Sequence, residues 1–415
     1  MRTKGCPIAA LLLLLALLFS ACNTDTGTSP TVGPGSEMYT IINTNNPIDL
    51  EADGWTEGIV NDPIPGAFSA NGYYHTNQNG CLQFLDLSNG VDVPLCSKPG
   101  CSHTRNSCDG HLGIISFLFY TDGYLYYDKG DLYGDHLYRR NADGTGEEKV
   151  VTLGEQYISS KTEVHLMRIV PVGDVLYYSV EVRGVERDET GAAFVEKIYE
   201  TVNRVDLNTG EDEELFRTSK SECALIAAQE DKLLYVEVMN YEFDESGSLE
   251  AMQNTPTYLK CWSEETGKSH VLLEKPYKYL TGTTMVVGGK VFCNAVREYG
   301  SYTYDLVSKT YEKAELWDGA GGLFVLNDAY VYSGRDKVFY NTQTKTSIPN
   351  ELTIDMLSMY IEVTSEAAFS MKIHIRDENR TDKGKGTIFV CVRIDALADG
   401  LQDSDLMMYF KTGDV

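Results

Sequence analysis

Short apolar runs alternate with polar turns along the chain from about residue 38 onward. The runs are rich in Tyr, Val, Ile, Phe and Leu, and Gly, Asp, Asn and Ser separate them. Aromatic and β-branched side chains suit the half-buried, pleated surface of a sheet, and no long segment has the 3.6-residue period of an amphipathic helix. The pattern therefore predicts an all-β fold.

Two sequence elements recur along the chain and interleave seven times. The first is a polar turn followed by an aromatic strand, as in residues 122–127 (Asp-Gly-Tyr-Leu-Tyr-Tyr), and its seventh copy, at 365–369, is the weakest. The second is a strand that runs into a hairpin turn, as in residues 205–210 (Val-Asp-Leu-Asn-Thr-Gly). The repeat is about 51 residues long, which is room for the four strands of one propeller blade. Residues 38–415 are predicted to form a single β-propeller of seven four-stranded blades, with six or eight blades as alternatives.

These repeats resemble the blades of Tol-type and prolyl-oligopeptidase-type propellers, in which a strand, a turn with Asp-Gly and a second strand recur. The resemblance covers nearly all of the chain after residue 38, and it implies a propeller fold. Each repeated motif is short, so the resemblance implies nothing specific about an activity.

The N-terminus has the features of a bacterial export signal. Arg2 and Lys4 precede an apolar run over 8–19 that is too short to span a bilayer. Residues 18–22 (Leu-Phe-Ser-Ala-Cys) resemble a lipobox, which implies that residues 1–21 are removed and that Cys22 receives fatty-acyl chains such as palmitate. Residues 22–37, rich in Thr, Gly, Ser and Pro, then form a flexible tether. We expect a lipoprotein anchored in the cell membrane and facing outward; an ordinary secretion signal with an incidental cysteine is the alternative.

Composition and charge exclude several classes of protein. Apolar residues make up 42% and charged residues 23% of the chain, which excludes a disordered or polytopic membrane protein. Lys and Arg total 35 against 61 Asp and Glu, giving a formal net charge of −26. Such a charge repels phosphate backbones, so we expect no nucleic-acid partner.

One segment between the first and second repeats concentrates metal-ligating residues. Cys96, Cys101, His103 and Cys108 follow the spacing Cys-x4-Cys-x-His-x4-Cys. Three thiolates and one imidazole can bind a structural zinc ion. Disulfide bonds, with Cys81 as a fourth partner, are an equal alternative for an exported protein, and free thiols are a third. The segment also resembles a Pro-Leu-Cys…Cys-x-His…Cys loop of propeller lipoproteins from Gram-positive anaerobes, which supports the lipoprotein and propeller predictions.

The remaining cysteines stand singly in predicted strands, and we expect them to be buried thiols. They are Cys223, Cys261, Cys293 and Cys391. Asp128, Asp131 and Asp135 lie close together in the sequence but do not follow the ligand spacing of an EF-hand calcium loop.

No catalytic motif is present to assign an activity. The sequence contains no Gly-x-Ser-x-Gly, His-Glu-x-x-His or phosphate-loop motif. We therefore expect no catalytic residues, and the one candidate cofactor is the structural zinc ion. We interpret the protein as a membrane-anchored binding module that holds a glycan, a peptide or a partner protein. The alternatives are an extracytoplasmic hydrolase or lyase with acidic residues at the propeller channel, and a structural scaffold of the cell envelope.

Overall fold

The computed structural model describes most of residues 48–348 and short segments beyond them. The described residues are 48, 50–60, 66–77, 79–86, 91–103, 108–131, 134–187, 193–218, 221–239, 249–281, 284–295, 299–314, 323–325, 330–333, 338–341, 344, 346–348, 358–362, 370–374, 388–392, 397, 402 and 406–411. The chain divides into two units, Met1–Met38 and Tyr39–Val415, and every described residue belongs to the second. The predicted signal peptide, the predicted lipid anchor at Cys22 and the tether lie outside the described residues.

Thirty β-strands account for nearly all of the described secondary structure. Strands β1–β10 are Thr56–Glu57, Ile59–Val60, Gly66–Ser69, Gly72–Thr76, Leu82–Asp86, Val91–Pro94, Leu118–Thr121, Tyr124–Asp131, Gly134–Asn141 and Glu148–Thr152. Strands β11–β20 are Thr162–Val172, Val175–Arg187, Ala193–Asp206, Asp212–Thr218, Ser221–Gln229, Lys232–Met239, Pro256–Ser263, Lys268–Pro276, Thr284–Val287 and Lys290–Asn294. Strands β21–β30 are Ser301–Asp305, Tyr311–Lys313, Leu323–Val325, Tyr330–Ser333, Val338–Asn341, Thr346–Ile348, Ser358–Glu362, Ser370–His374, Ile388–Val392 and Leu406–Lys411.

The described strands form seven antiparallel sheets, which we call blades 1 to 7. Blade 1 is β3–β6, blade 2 is β7–β10, blade 3 is β11–β14, blade 4 is β15–β18, blade 5 is β19–β22, blade 6 is β23–β26 and blade 7 is β27–β30. Within each blade the strands pair in chain order. The predicted all-β propeller is confirmed.

Short helices lie between some of the strands. The α-helix α1 spans Leu249–Gln253, and 3₁₀ turns span Glu155–Tyr157 and Tyr277–Tyr279. Within the described part of the chain, no helix has the length and apolar character needed to cross a membrane.

The packing between blades explains why their strands are so apolar. The first strands of adjacent blades contact one another, for example β11 with β15 and β15 with β19. Each pair of neighbouring blades from 1 to 5 encloses its own apolar core. In the core between blades 2 and 3, Leu176 and Tyr178 pack with Phe119 and Tyr126. Each of these blades therefore removes apolar surface from water against its neighbours, as propeller blades do.

The segment before blade 1 adds an extra strand to two distant blades. Strand β2 pairs with β11, placing Ile59 opposite Ile169, and β1 pairs with β15. Gly58 joins the two short strands, and a Cβ atom there would lie only 2.9 Å from the carbonyl oxygen of Ile226. Glycine allows this close approach, so the segment can lie along the first strands of blades 3 and 4.

Strand direction alternates within each blade, and this places two kinds of connection on one face. The links between successive blades lie at the same end of the strands as the hairpins between second and third strands. We call this end the connection face. It carries the predicted metal-ligating segment, which lies between β6 and β7, and the β8–β9 hairpin of blade 2.

Candidate functional site

The predicted metal ligands lie in the connection between β6 and β7, residues 95–117. We call this connection the cysteine loop; its described residues are 95–103 and 108–117. Both parts of the loop are fastened to the β4–β5 hairpin of blade 1. The amide of Leu95 donates to the carbonyl oxygen of Leu82 at 3.0 Å, and the amide of Leu112 donates to that of Gly80 at 2.8 Å. These bonds hold the loop at the connection face, where its polar backbone can meet solvent.

A tight turn lies between the first two cysteines of the loop. The amide of Cys101 donates to the carbonyl oxygen of Lys98 at 3.3 Å, and Gly100 has a φ of 71°. Proline at the second position and glycine with positive φ at the third are the signature of a type II turn, which Pro99 and Gly100 supply. The turn reverses the chain between Cys96 and Cys101.

The four predicted ligand residues come together in the structure. The Sγ atoms of Cys96, Cys101 and Cys108 and a ring nitrogen of His103 all lie within 4.8 Å of one another. The Nδ1 atom of His103 is 3.7 Å from Sγ of Cys108. Cys108 is buried, and the other three side chains are half-buried. We call these four residues the Cys/His cluster; no other described group of His, Cys, Asp and Glu side chains is identified as able to hold a metal ion.

Hydrogen bonds divide the thiols of the cluster into two kinds. Burial opposes ionisation of Cys96, but the amides of Lys98 and Asp109 and the neighbouring thiols outweigh it and lower its pKa to about 6. Burial raises the pKa of Cys108 to about 12, and its hydrogen bond with Cys96 adds to that rise. A thiolate is therefore favoured at Cys96 and a thiol at Cys108 when the loop binds no ion.

Cys81 lies beside the cluster but outside it. This residue is the last one of the turn between β4 and β5, and it forms an isolated bridge with His111. Its side chain hydrogen-bonds to that of Cys108, and burial raises the pKa of its thiol. Seven cysteines have described side chains, and none of these seven forms a disulfide bond in the structure.

Charged side chains brace the cysteine loop from outside the cluster. The Asp109 carboxylate accepts hydrogen bonds from Lys98 Nζ at 2.6 Å and from Ser97 Oγ at 3.3 Å, so it ties the two described parts of the loop together. Arg140 of blade 2 donates to the carbonyl oxygen of Asp109 at 2.5 Å and pairs with Glu147 at 2.6 Å. The part of the loop around the cluster is thus held by a few directional polar contacts, whereas the end next to blade 2 packs into the apolar cores of the blades.

A small pocket opens where the cysteine loop enters blade 2. Its volume is about 100 Å³, and it lies between the start of β7, the β8–β9 hairpin, β11 and β2. The lining residues include Ile59, Phe117, Asp135, His165, Met167 and Ile169. Ser116 and Phe117, the last two residues of the cysteine loop, form part of the wall. We call it the connection-face pocket.

Asp135 gives this pocket its electrostatic character. Burial raises the pKa of the Asp135 carboxyl, and the nearby Asp128 carboxylate raises it further; His165 and the amide of Leu166 oppose the shift only in part. Asp128 is 2% exposed and accepts hydrogen bonds from the amides of Ser116 and Phe117 at 2.6 and 3.0 Å. Asp128 therefore fixes the pocket wall, whereas Asp135 is the carboxyl that lines the pocket.

The sequence predicted the Cys/His cluster but not the connection-face pocket. The pocket joins residues that are far apart in the sequence, such as Ile59 and His165. One available signal was the start of β11, where Glu163, His165 and Met167 alternate with less exposed residues. That alternation marks a strand with one solvated face.

Comparisons with known proteins give similarity at the level of the fold. No family model and no curated protein matches the chain. A dipeptidyl aminopeptidase IV structure from Bacteroides ovatus ATCC 8483 has 9% identity and a TM-score of 0.41, and the match covers 87% of this chain and 61% of that one. A prolyl endopeptidase structure has 12% identity and a TM-score of 0.43, with 82% and 46% covered. An oligogalacturonate lyase from Vibrio parahaemolyticus has 11% identity and a TM-score of 0.32, with 71% and 89% covered. The chain spans less than two thirds of the two peptidases, and at these identities no activity follows for it.

Proposed function

We propose that the protein is a lipid-anchored, outward-facing binding module that holds a basic segment of a partner polypeptide at its connection face. The observation that carries this proposal is the connection-face pocket, in which a partly buried carboxyl, Asp135, lies in a wall of mixed apolar and polar side chains that includes His165 and Arg168.

The size of the pocket favours a polypeptide over a small molecule. Pockets that enclose a whole small-molecule ligand usually have volumes of roughly 300–1,000 Å³. A volume of about 100 Å³ accommodates one side chain, so most of the ligand would lie outside the pocket. Ile114, two residues before Ser116, is 97% exposed, and Met167 at the pocket is also exposed. Exposed apolar side chains beside an anchoring pocket are typical of protein interfaces.

Charge favours a basic side chain as the group that enters. A lysine or arginine from the partner would pair with Asp135 and relieve its repulsion with Asp128. Arg168 also lines the pocket, but its guanidinium donates to the carbonyl oxygen of Leu225 in blade 4 at 3.2 Å. The net charge of −26 would in addition speed the approach of a basic partner.

The same geometry gives less support to a glycan ligand or to acid–base catalysis. Among the described lining residues Phe117 is the only aromatic, and it is 3% exposed, so it offers no ring face on which a sugar could stack. A mechanism with two acidic residues would need a second carboxylate beside Asp135. The neighbouring carboxylate is Asp128, but it is buried and already accepts two backbone hydrogen bonds. A hydrolase or lyase with two acidic residues would need both to reach the substrate.

The binding proposal can be tested with a short oligolysine peptide and isothermal titration calorimetry on the full chain in detergent. Asp135→Asn should weaken binding about tenfold or more, because hydrogen bonds to charged groups contribute about 1.5–3 kcal/mol. Glu265→Gln is the matched control, since Glu265 is an exposed residue in a hairpin turn of blade 4 and its loss changes the net charge equally. Equal weakening by the two variants would show general charge attraction and overturn the proposed site. An oligoglutamate peptide that binds as tightly would also overturn it.

The anchor is tested separately through Cys22. The lipobox-like segment 18–22 supports acylation at this residue, and two acyl chains hold a protein stably at a membrane where one does not. Cys22→Ser should move the protein out of the membrane fraction or leave it as an unprocessed precursor. A variant that remains membrane-bound at its mature size would contradict the anchor.

A further inference from the structure

The Cys/His cluster has the composition and the geometry of a closed metal site. We propose that Cys96, Cys101, His103 and Cys108 bind one zinc ion through three sulfur atoms and one imidazole nitrogen. The inference does not depend on the identity of the ligand at the connection-face pocket, because it rests on the cluster alone.

The distances within the cluster are close to those that zinc requires. With Zn–S bonds of about 2.3 Å, the sulfur atoms of a tetrahedral site lie roughly 3.8 Å apart. The separation of His103 Nδ1 from Cys108 Sγ is 3.7 Å, and no pair among the four ligand atoms exceeds 4.8 Å. Small side-chain rotations would therefore complete a tetrahedron without moving the backbone turn at Pro99 and Gly100.

The donor atoms select the kind of ion. Three thiolates and an imidazole are soft or intermediate ligands, which suit zinc; calcium and magnesium require oxygen ligands instead. Four protein ligands also fill the coordination sphere, which is typical of a structural zinc site and leaves no position for water or substrate. The site would therefore hold the loop in shape and would not carry out a reaction.

The position of His103 favours metal over a disulfide. Two disulfide bonds, with Cys81 as the fourth partner, would pair every thiol here, but they would leave the imidazole of His103 without a bonding role. His103 has a φ of 51°, a left-handed conformation that costs free energy in a residue other than glycine. Its amide donates to Sγ of Cys101 at 3.4 Å while its ring reaches Cys108. A bound zinc ion would supply the interaction that offsets this cost.

Cys81 would support the site from outside the tetrahedron. Its thiol is fully buried and hydrogen-bonds to Cys108, so it can donate to the zinc-bound sulfur of that residue. Such donors orient a ligand and spread its charge. Cys81 is therefore a positioning residue in this proposal, and the fourth ligand is His103.

Zinc at this point would also order the wall of the connection-face pocket. The chain runs from Cys108 through the bridge between His111 and Cys81 to Ser116 and Phe117, which line that pocket. Zinc binding fixes the first end of this short segment, and the hydrogen bonds to Asp128 fix the other. The metal site would thus stabilise the pocket without touching a ligand in it.

The test uses the full chain purified anaerobically in detergent and measures bound metal and cobalt absorption. We expect about one equivalent of zinc. Replacement by Co²⁺ should give intense tetrahedral d–d bands and a thiolate-to-cobalt charge-transfer band, which needs no variant and so does not depend on whether a variant folds. His103→Ala should weaken zinc binding at least tenfold, whereas His103→Cys should retain one equivalent and shift the cobalt bands toward those of four sulfur ligands.

A matched control separates ligands from neighbours. His111→Ala changes a histidine of the same loop that lies outside the cluster, and it should keep the metal and the cobalt spectrum of three sulfurs and one nitrogen. Cys81→Ala should keep the same cobalt spectrum, because Cys81 is not a ligand, but it should weaken zinc binding, because the donor to Cys108 is lost. Failure of the anaerobic protein to bind zinc or cobalt would overturn the proposal. Stoichiometric iron in place of zinc would overturn the choice of ion, and equal metal loss from His103→Ala and His111→Ala would overturn the ligand set.

Discussion

The interior between blades 2 and 3 and the cysteine loop between blades 1 and 2 are stabilised in different ways. Leu176 and Tyr178 are 0% exposed among apolar neighbours, so the blade interior is held by apolar area removed from water. The part of the cysteine loop around the cluster has two half-buried thiols and a few polar bonds, whereas the end next to blade 2 packs into the blade cores through Leu112, Ile115 and Phe117. The blades should therefore fold whether or not the Cys/His cluster binds a metal ion. Loss of the polar contacts in the loop should change the free energy of unfolding of the blades only slightly.

The largest effect should come from the blade interior. Leu176→Ala removes a fully buried side chain from the core between blades 2 and 3 and should lower the free energy of unfolding by about 2–5 kcal/mol. Chemical denaturation with near-UV circular dichroism measures the loss. Val307→Ala, at a position 56% exposed, is the control and should change little. Similar losses from the two variants would show that the interior is not tightly packed.

The blades and the cysteine loop also differ in their ion pairs, one of which is buried and the other exposed. Lys260 and Glu237 pair inside blade 4, where both are almost fully buried. Lys260→Met would leave the Glu237 charge buried without its cation, at a cost of about 3–5 kcal/mol. Lys98→Met breaks the exposed pair with Asp109 in the cysteine loop and should leave the melting temperature unchanged. A larger loss from Lys98→Met would contradict the idea that the loop is independent of the blades.

Removal of metal should have a smaller, local effect. If zinc holds only the cluster end of the cysteine loop, a chelator should make residues 95–111 susceptible to limited proteolysis while the far-UV circular dichroism of the blades stays the same. The melting temperature should fall by less than it does in Leu176→Ala. Mass spectrometry of the first cleavage products locates the cut, and a first cut inside a blade strand would contradict local action.

The smallest effect concerns Asp135 and pH. Its pKa is raised in the folded protein, so the folded state binds the proton more tightly than the unfolded state does. The stability due to this group is present below the ordinary Asp pKa and is lost as the pH rises through the raised pKa. Asp135→Asn should therefore be slightly more stable than the parent at neutral pH and lose that advantage in acid. A pH series of melting curves for both proteins measures the difference, and an Asn variant less stable at neutral pH would show that the Asp135 carboxylate is stabilising.

Much of the fold could be predicted because blade strands have a local signature. The Asp122-Gly123 turn has positive φ at both residues, 49° and 84°, as a two-residue hairpin turn requires, and β8 follows it. Single cysteines predicted to be buried are indeed buried at Cys223, Cys261 and Cys293. The side chain of Cys391 lies outside the described residues. The weakest repeat, at 365–369, is followed by β28, which starts at Ser370.

Other features could not be predicted because they depend on contacts between distant segments. The pairing of Ile59 with Ile169 has no signal in either short segment, and it requires the whole of blades 1 and 2 to be folded between them. Asp135 and His165 likewise meet only because two blades pack together. The Cys/His cluster was predictable for the opposite reason, since its ligands lie close together in the sequence. Spacing alone left metal and disulfide equal, and the approach of the His103 ring to Cys108 is what favours metal.

Zinc K-edge X-ray absorption on the anaerobically purified full chain is the most direct test of a zinc ion in the cysteine loop. The expected coordination is three sulfur neighbours at about 2.3 Å and one nitrogen neighbour at about 2.0–2.1 Å. A zinc environment made mainly of oxygen, or protein without zinc whose cysteines are joined by disulfide bonds, would contradict it.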